Sequence, residues 1–233
     1  MPTNAHHMIP IKKLPTAIEI ARRDGLRQLG KKIASYYAPN RKPKIEPHLQ
    51  MLQGREDLVV AEIGVWRGNN ARRLCEILDI EKLYLIDPYD KYDEWDFPHA
   101  HEDISHAENE ARDKLSEYDC VTWIKDYSDE AAKQIECNLD YVYVDGNHSY
   151  EFVKSDLELY YDLLAEDGII AGDDIHFSGV ALAVSEFAVG QDLQPHFEKL
   201  CSDWYFIKGM ERRPSQDYIF TPENVYETLS ERT

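Results

Sequence analysis

The chain predicts an α/β fold: a doubly wound, mainly parallel sheet behind a helical N-terminal extension. Three observations carry this. Short apolar runs of strand length alternate with helical stretches of ten or more residues, the signature of βαβ units. The first core run, Val59-Val-Ala-Glu-Ile63, enters a glycine turn, Gly64-Val-Trp-Arg-Gly68, that opens a helix. Two later runs end in acid: Leu139-Asp-Tyr-Val-Tyr-Val144 is followed by Asp145, and Gly168-Ile-Ile-Ala-Gly172 by the pair Asp173-Asp174.

In chain order, residues 14–37 have helical periodicity, with Pro15 near the start, and 38–44 form a polar, proline-bearing loop. A short helical piece follows at 47–54. The core is read as a strand at 57–63, helix 69–78, strand 82–87, helix 102–117, strand 120–125 and helix 128–136. The Asp145 strand, helix 150–164, the Asp173 strand and helix 179–189 come next. Two final runs, 195–200 and 203–208, are joined by Cys201-Ser202, too short for a crossover helix, so they are expected to form an antiparallel hairpin at one edge. The division expected is an extension over 1–50, a core over 51–210 and a tail over 211–233.

Composition narrows the function. Lys and Arg total 26 against 44 Asp and Glu, and the resulting charge of -18 argues against nucleic acid or anionic membrane as partner. No run of eighteen apolar residues and no signal-peptide pattern occurs, and the four cysteines lack CxxC spacing. The expectation is a soluble cytoplasmic protein with reduced thiols that acts on a small molecule; a homo-oligomer stays open.

Parallel strands bring the residues at their C-terminal ends to one sheet edge. Asp145, Asp173 and Asp174 would repel one another there unless a hard divalent cation such as Mg²⁺, Mn²⁺ or Ca²⁺ neutralises them. The plainer alternative is that each caps the helix that follows. Gly64 and Gly68 allow close approach of backbone to a ligand, but two glycines preceded by Glu62 are not the dinucleotide fingerprint. A carboxylate there suits a ligand with a cationic end. Asp87, ending the second strand, is placed to accept from ribose hydroxyls, so the pattern favours an adenosine-bearing ligand without phosphates.

Glu62-Ile-Gly-Val-Trp-Arg-Gly68, Asp87, Val144-Asp-Gly-Asn-His-Ser-Tyr150 and Gly172-Asp-Asp174 resemble the class I S-adenosylmethionine-dependent methyltransferases. Within them the chain is similar to metal-dependent O-methyltransferases, especially the macrocin-type sugar methyltransferases and the cephalosporin-hydroxylase-like group. The resemblance covers about residues 55–210 and implies a seven-stranded sheet in the order 3-2-1-4-5-7-6 with an antiparallel last strand. It implies methyl transfer from S-adenosylmethionine to a hydroxyl or carboxylate oxygen of a small molecule, a sugar above all, with Mg²⁺ or Mn²⁺ bound by Asp145, Asp173 and Asp174. The 28-residue step from Asp145 to Asp173 also resembles the ligand spacing of catechol methyltransferases.

The same resemblance implies that Glu62 faces the methionine ammonium, that Gly64 to Gly68 lie along the methionine and sugar, and that Asp87 takes the ribose. Asp126 and Ser128 would hold adenine, or else only cap the helix after them. Three places after Asp145, where catechol methyltransferases carry a catalytic lysine, stands His148, which becomes the expected general base with His176 as its rival. The insertion at 89–101 offers Tyr89, Tyr92, Trp95 and Phe97 as an aromatic floor for a sugar or ring. A nicotinamide oxidoreductase would leave Glu62 and the three aspartates without work. A non-catalytic interaction protein on this scaffold, or a hydroxylase-like protein linked to oxidation, are the other readings.

Overall fold

The computed structural model describes residues 45–90, 104–197 and 202–210. The expected helix over 14–37, most of the 89–101 insertion and the 211–233 tail lie outside the described residues. Helix α1 spans Pro47–Gln50, strand β1 Leu58–Ile63, α2 Asn69–Ile77, β2 Ile80–Ile86, α3 Ile104–Leu115 and β3 Val121–Ile124. Then follow α4 (Ser128–Ala132), β4 (Leu139–Val144), α5 (Tyr150–Leu163), β5 (Leu164–Gly172), α6 (Ser178–Gly190), β6 (His196–Phe197) and β7 (Trp204–Ile207).

The strands form one sheet in the order β3-β2-β1-β4-β5-β7-β6. Strands β1 to β5 pair in parallel, and β7 runs antiparallel to both β5 and β6. The central strands are buried on both faces, which is why they read as almost unbroken apolar runs. Alternation sends Ala61, Ile63, Val142 and Val144 into a core shared with Val153, Leu157 and Tyr160 of α5 and Val180 and Val184 of α6. The opposite face carries Val60, Glu62, Tyr141 and Tyr143. There His48 of α1, which lies inside the 1–50 segment, stacks on Tyr141 with ring centroids 5.9 Å apart. Burial lowers the His48 pKa to about 4, so the imidazole is neutral in that aromatic setting. Among the described residues no helix is long and apolar enough to cross a membrane.

Elements differ in extent from expectation, three of them most: helix α1 ends at Gln50, short of residue 54. Helix α4 stops at Ala132, short of residue 136, because the chain tightens into i→i+3 bonds: Gln134 N–H donates to the Ala131 carbonyl and Ile135 N–H to that of Ala132. The tightening puts Ile135 into the core. Strand β5 begins at Leu164, before Gly168, through an irregular register in which Leu164 pairs with Leu139.

Helices α4 and α5 are joined by a buried carboxyl. Ser128 Oγ donates to Asp156 Oδ1, and Tyr160 donates to the Ser128 carbonyl at 2.8 Å. Burial pushes the Asp156 carboxyl up to about 7, with the Ser128 hydroxyl opposing the rise. The folded chain then keeps a proton that the unfolded chain loses near pH 4, so stability should decline as pH rises from about 4 to about 7. Asp156→Asn is expected to flatten that decline in urea unfolding at a series of pH values. An unchanged slope would show that Asp156 is not the titrating group.

Candidate functional site at the carboxyl edge of the sheet

Strand register sets the site. Ile86, Ile63, Val144 and Gly172 are neighbours across β2, β1, β4 and β5. The next residue on each strand is therefore Asp87, Gly64, Asp145 and Asp173, one row along the carboxyl edge. Asp145 N–H donates to the Ile63 carbonyl at 2.8 Å and Asp173 N–H to that of Val144 at 3.4 Å, which carries the pairing one residue past the strands.

Glu62 sits one residue inside this row and is 1 % exposed. Its Oε2 is buried without a hydrogen bond of good geometry, and the Asn70 amide on the first turn of α2 lies close enough to favour the carboxylate. Burial raises the Glu62 pKa well above the ordinary carboxyl range; the charges of Asp145 and Asp87 add to this, and Asn70 works against it. A buried carboxyl with an open oxygen fits a cationic group brought in by a ligand, the role expected for it.

The glycine loop is tied down more tightly than its sequence indicates. Val65 and Trp66 both donate backbone N–H to Asp87 Oδ2 at 2.9 Å, and Tyr89 N–H donates to Oδ1 at 2.8 Å. Burial lifts the Asp87 pKa, while these three bonds hold it down. A carboxylate offers about four lone-pair sites, so capacity remains for a ribose hydroxyl. Tyr89 also donates its hydroxyl to the Trp66 carbonyl at 2.9 Å. From α3, Lys114 donates to the Arg67 carbonyl at 2.6 Å, and Glu110 pairs with Arg67 at 2.8 Å. Sequence reading missed Lys114 and Glu110; a helix reached across an insertion leaves no signal in local spacing.

Gly68 caps α2 with φ +66° and lies against Leu115 and Ala111 of α3. Gly64 has φ +86°, and a Cβ built on it would fall 2.1 Å from the Asp145 carbonyl oxygen. The missing side chain therefore brings the β1 turn against the backbone of Asp145 and sets the spacing between the two halves of the site.

The aspartate pair divides. Asp174 adopts φ +62°, a conformation aspartate tolerates better than most residues. Its Oδ2 stands 3.1 Å from His148 Nε2, and its Oδ1 stands 3.4 Å from His176 Nδ1. Asp145 Oδ1 lies 3.6 Å from the same His148 nitrogen. Asp173 Oδ1 instead accepts the backbone N–H of Asp174 at 2.6 Å. Among the described residues, the group whose donor atoms converge is thus Asp145, His148 and Asp174, within 4.8 Å of one another. Burial raises the Asp145 pKa, His148 holds it down, and Asp173 and Asp174 push it up. The plain helix-capping alternative does not describe these residues: Ser149 and Phe177, not the aspartates, are the caps of α5 and α6.

Phe177 stacks on the His148 ring at 5.1 Å and 6°. Gly179 lets α6 pack onto the His148 carbonyl, which a Cβ there would meet at 2.5 Å. His176 is half-exposed. Asp203, also missed from sequence, is buried beside Asp173 at the start of β7 and accepts from Tyr143 at 3.4 Å. Asp126 stands at the end of β3, where its Oδ1 accepts the Tyr127 N–H at 3.0 Å. Ser128 spends its hydroxyl on Asp156, in the contact between α4 and α5.

Residues 61–175 match a family described as a methyltransferase domain. No curated protein matches the chain. Among solved structures, a protein described as a caffeoyl-CoA O-methyltransferase from Staphylococcus aureus is similar at a TM-score of 0.52 and 15% identity, over 84% of this chain and 98% of that one. One described as an rRNA methylase from Clostridium thermocellum is similar at 0.51 and 21% identity, over 69% and 91%. At such identities the likeness concerns the fold. Residues 61–175 are thus similar to a methyltransferase domain, and the strand order is the Rossmann-like order shared with these methyltransferase structures.

Proposed function

We propose that the protein transfers the methyl group of S-adenosylmethionine to a hydroxyl (or carboxylate) oxygen of a small molecule, a sugar or glycoside, beside a bound divalent cation, Mg²⁺ or Mn²⁺. The observation that carries the reading is the row Asp87, Gly64 and Asp145 at the sheet edge with Glu62 one residue inside it, so that only the Gly64 turn separates Glu62 and Asp87 from the Asp145–His148–Asp174 group. The open oxygen of Glu62 suits the methionine ammonium and the remaining capacity of Asp87 suits the ribose. The sugar assignment is supported by the sequence resemblance and the aromatic content of the 89–101 insertion. A small, non-nucleic-acid acceptor met in the cytoplasm agrees with the charge of -18.

The converging carboxylates and imidazole fit a divalent cation, which when bound lowers the pKa of an acceptor hydroxyl and neutralises its oxyanion. The chain's own residues do the remaining work. They place the acceptor oxygen in line with the methyl sulfonium, so that the new C–O bond forms as the C–S bond breaks and S-adenosylhomocysteine leaves. The hydroxyl proton passes to an imidazole; His148 and His176 are the two that face Asp174.

The test is incubation of the full chain with S-adenosylmethionine and a panel of sugar nucleotides, uronic acids and catechols, with Mg²⁺, with Mn²⁺ and with EDTA, read by product mass. Methylation of one acceptor class, abolished by EDTA while cofactor binding persists, is expected. Turnover undiminished in EDTA after exhaustive dialysis would remove the cation from the mechanism. Binding of NAD⁺ in place of S-adenosylmethionine would overturn the reading as a whole.

A further inference from the structure

We propose that Lys114 of α3 is a positioning residue of the cofactor cleft: by holding the Arg67 carbonyl it fixes the peptide that enters α2, and with it the backbone along which the cofactor is to lie. The hold on the turn rests on geometry alone; its use in cofactor binding rests on the function proposed above.

Gly68 creates the need for it. With φ +66° and no side chain it admits α3 to the turn, since a Cβ there would stand 3.0 Å from Leu115 Cδ1 and 3.3 Å from Ala111. A glycine also leaves the peptide before it poorly determined, because φ of either sign costs it little. The Arg67–Gly68 peptide is instead held from both sides. Its N–H donates to the Val65 carbonyl at 2.8 Å, and its carbonyl accepts from the Lys114 ammonium at 2.6 Å. The same ammonium donates to Asn69 Oδ1 at 2.7 Å and to Glu110 Oε1 at 3.3 Å, so its three hydrogens are all engaged. Glu110 Oε2 takes the Arg67 guanidinium at 2.8 Å, which closes a ring. Arg67 is thus held by its side chain and by its main chain from one turn of α3.

The helix that carries Lys114 is itself fastened. Ala111 and Leu115 are buried. Glu108 accepts from Arg112 at 3.0 Å and from Lys125, just past β3, at 2.6 Å, and the Arg112 guanidinium lies 4.5 Å from the ring centroid of Trp123 in β3. Helix α3 is therefore tied to the end of β3 while it grips the glycine turn. The Lys114 side chain is 16% exposed, so water competes little for it, and a charge-assisted bond in such a place is roughly twice as strong as a neutral one. Lys133 offers the contrast: its pair with Glu130 stands at 65% exposure and is an ordinary surface ion pair.

The experiment compares the full-length parent with Lys114→Met, Lys114→Arg and Lys133→Met, by hydrogen exchange read by mass and by calorimetry with S-adenosylhomocysteine. In Lys114→Met the segment 64–72 should exchange roughly tenfold faster while β4 and β5 keep the parent's protection, and S-adenosylhomocysteine should bind roughly tenfold more weakly. Lys114→Arg keeps a cationic donor and should return both readings to within about threefold of the parent. Lys133→Met removes the same charge from the surface and should change neither. A role for Lys114 in overall stability alone would lower protection throughout the chain and leave the affinity of the folded protein as it was, which would overturn the proposal. Parent-like exchange over 64–72 in Lys114→Met, or an equal loss of affinity in Lys133→Met, would overturn it as well. If the parent binds S-adenosylhomocysteine and Lys114→Met binds it equally, this proposal falls and the methyltransferase reading stands. If the exchange contrast is found and no form of the chain binds S-adenosylhomocysteine, that reading falls and the hold of Lys114 on the turn stands.

Discussion

Gly64→Ala is expected to destabilise the fold by roughly 4 kcal/mol or more, whereas Gly54→Ala should cost only about 1 kcal/mol. Both glycines occupy the left-handed region, with φ of +86° and +84°. The conformational cost of a side chain is therefore nearly the same at the two positions. They differ in what the new methyl group meets. Nothing lies within 4 Å of a Cβ on Gly54, while one on Gly64 falls 2.1 Å from the oxygen and 2.5 Å from the carbonyl carbon of Asp145. Those are backbone atoms on a central strand, and Asp145 N–H is bonded to Ile63 beside them, so no rotamer change relieves the overlap. Urea unfolding of the two variants and the parent gives the comparison. Equal losses at the two positions would mean that the β1 and β4 turns can separate freely, and the fixed spacing between the Glu62 and Asp145 halves of the site would then have no structural basis.

That spacing also shows where sequence reading stops. Apolar runs closed by Asp87, Asp145 and Asp173 identify the strand ends because a buried parallel strand is written as a contiguous apolar segment. Register then carries those ends to one edge without further information. The direction in which a side chain leaves a turn is a different quantity. Asp173 and Asp174 are indistinguishable in sequence, and they part company because Asp174 takes a positive φ while Asp173 accepts its N–H. The backbone bonds of Asp87 to Val65 and Trp66 were hidden for the same reason, since they depend on how the glycine loop folds back over β2. The end of α4 moved because burial of Ile135 outweighed the helical pattern of 128–136. Lys114 and His48 reach the loop and the β4 tyrosines from helices distant in sequence, and periodicity reports which face of a helix is apolar but not which neighbour it meets.

Replacing Glu62 with Gln should weaken S-adenosylmethionine binding by on the order of 1–3 kcal/mol, the loss typical of a charge-assisted hydrogen bond, while making the cofactor-free fold more stable above pH 5. The two effects have opposite signs because the carboxyl is costly when alone and useful when paired. Burial, with the charges of Asp145 and Asp87, raises its pKa well above the usual value, so the folded chain holds a proton that the unfolded chain releases near pH 4.5. The stability tied to that proton is fully present below the unfolded pKa and is lost as pH rises through the folded one. Glutamine keeps the shape and cannot ionise, so this part of the pH dependence should disappear. An incoming ammonium reverses the balance: it pairs with the open Oε2 and favours the carboxylate, so binding must release the proton. Calorimetry in two buffers of different ionisation enthalpy measures that release directly. The parent should lose protons on binding S-adenosylmethionine and bind more tightly as pH rises; Glu62→Gln should show neither effect. Equal affinities in the two proteins, with no proton released by either, would show that the methionine ammonium does not lie against Glu62.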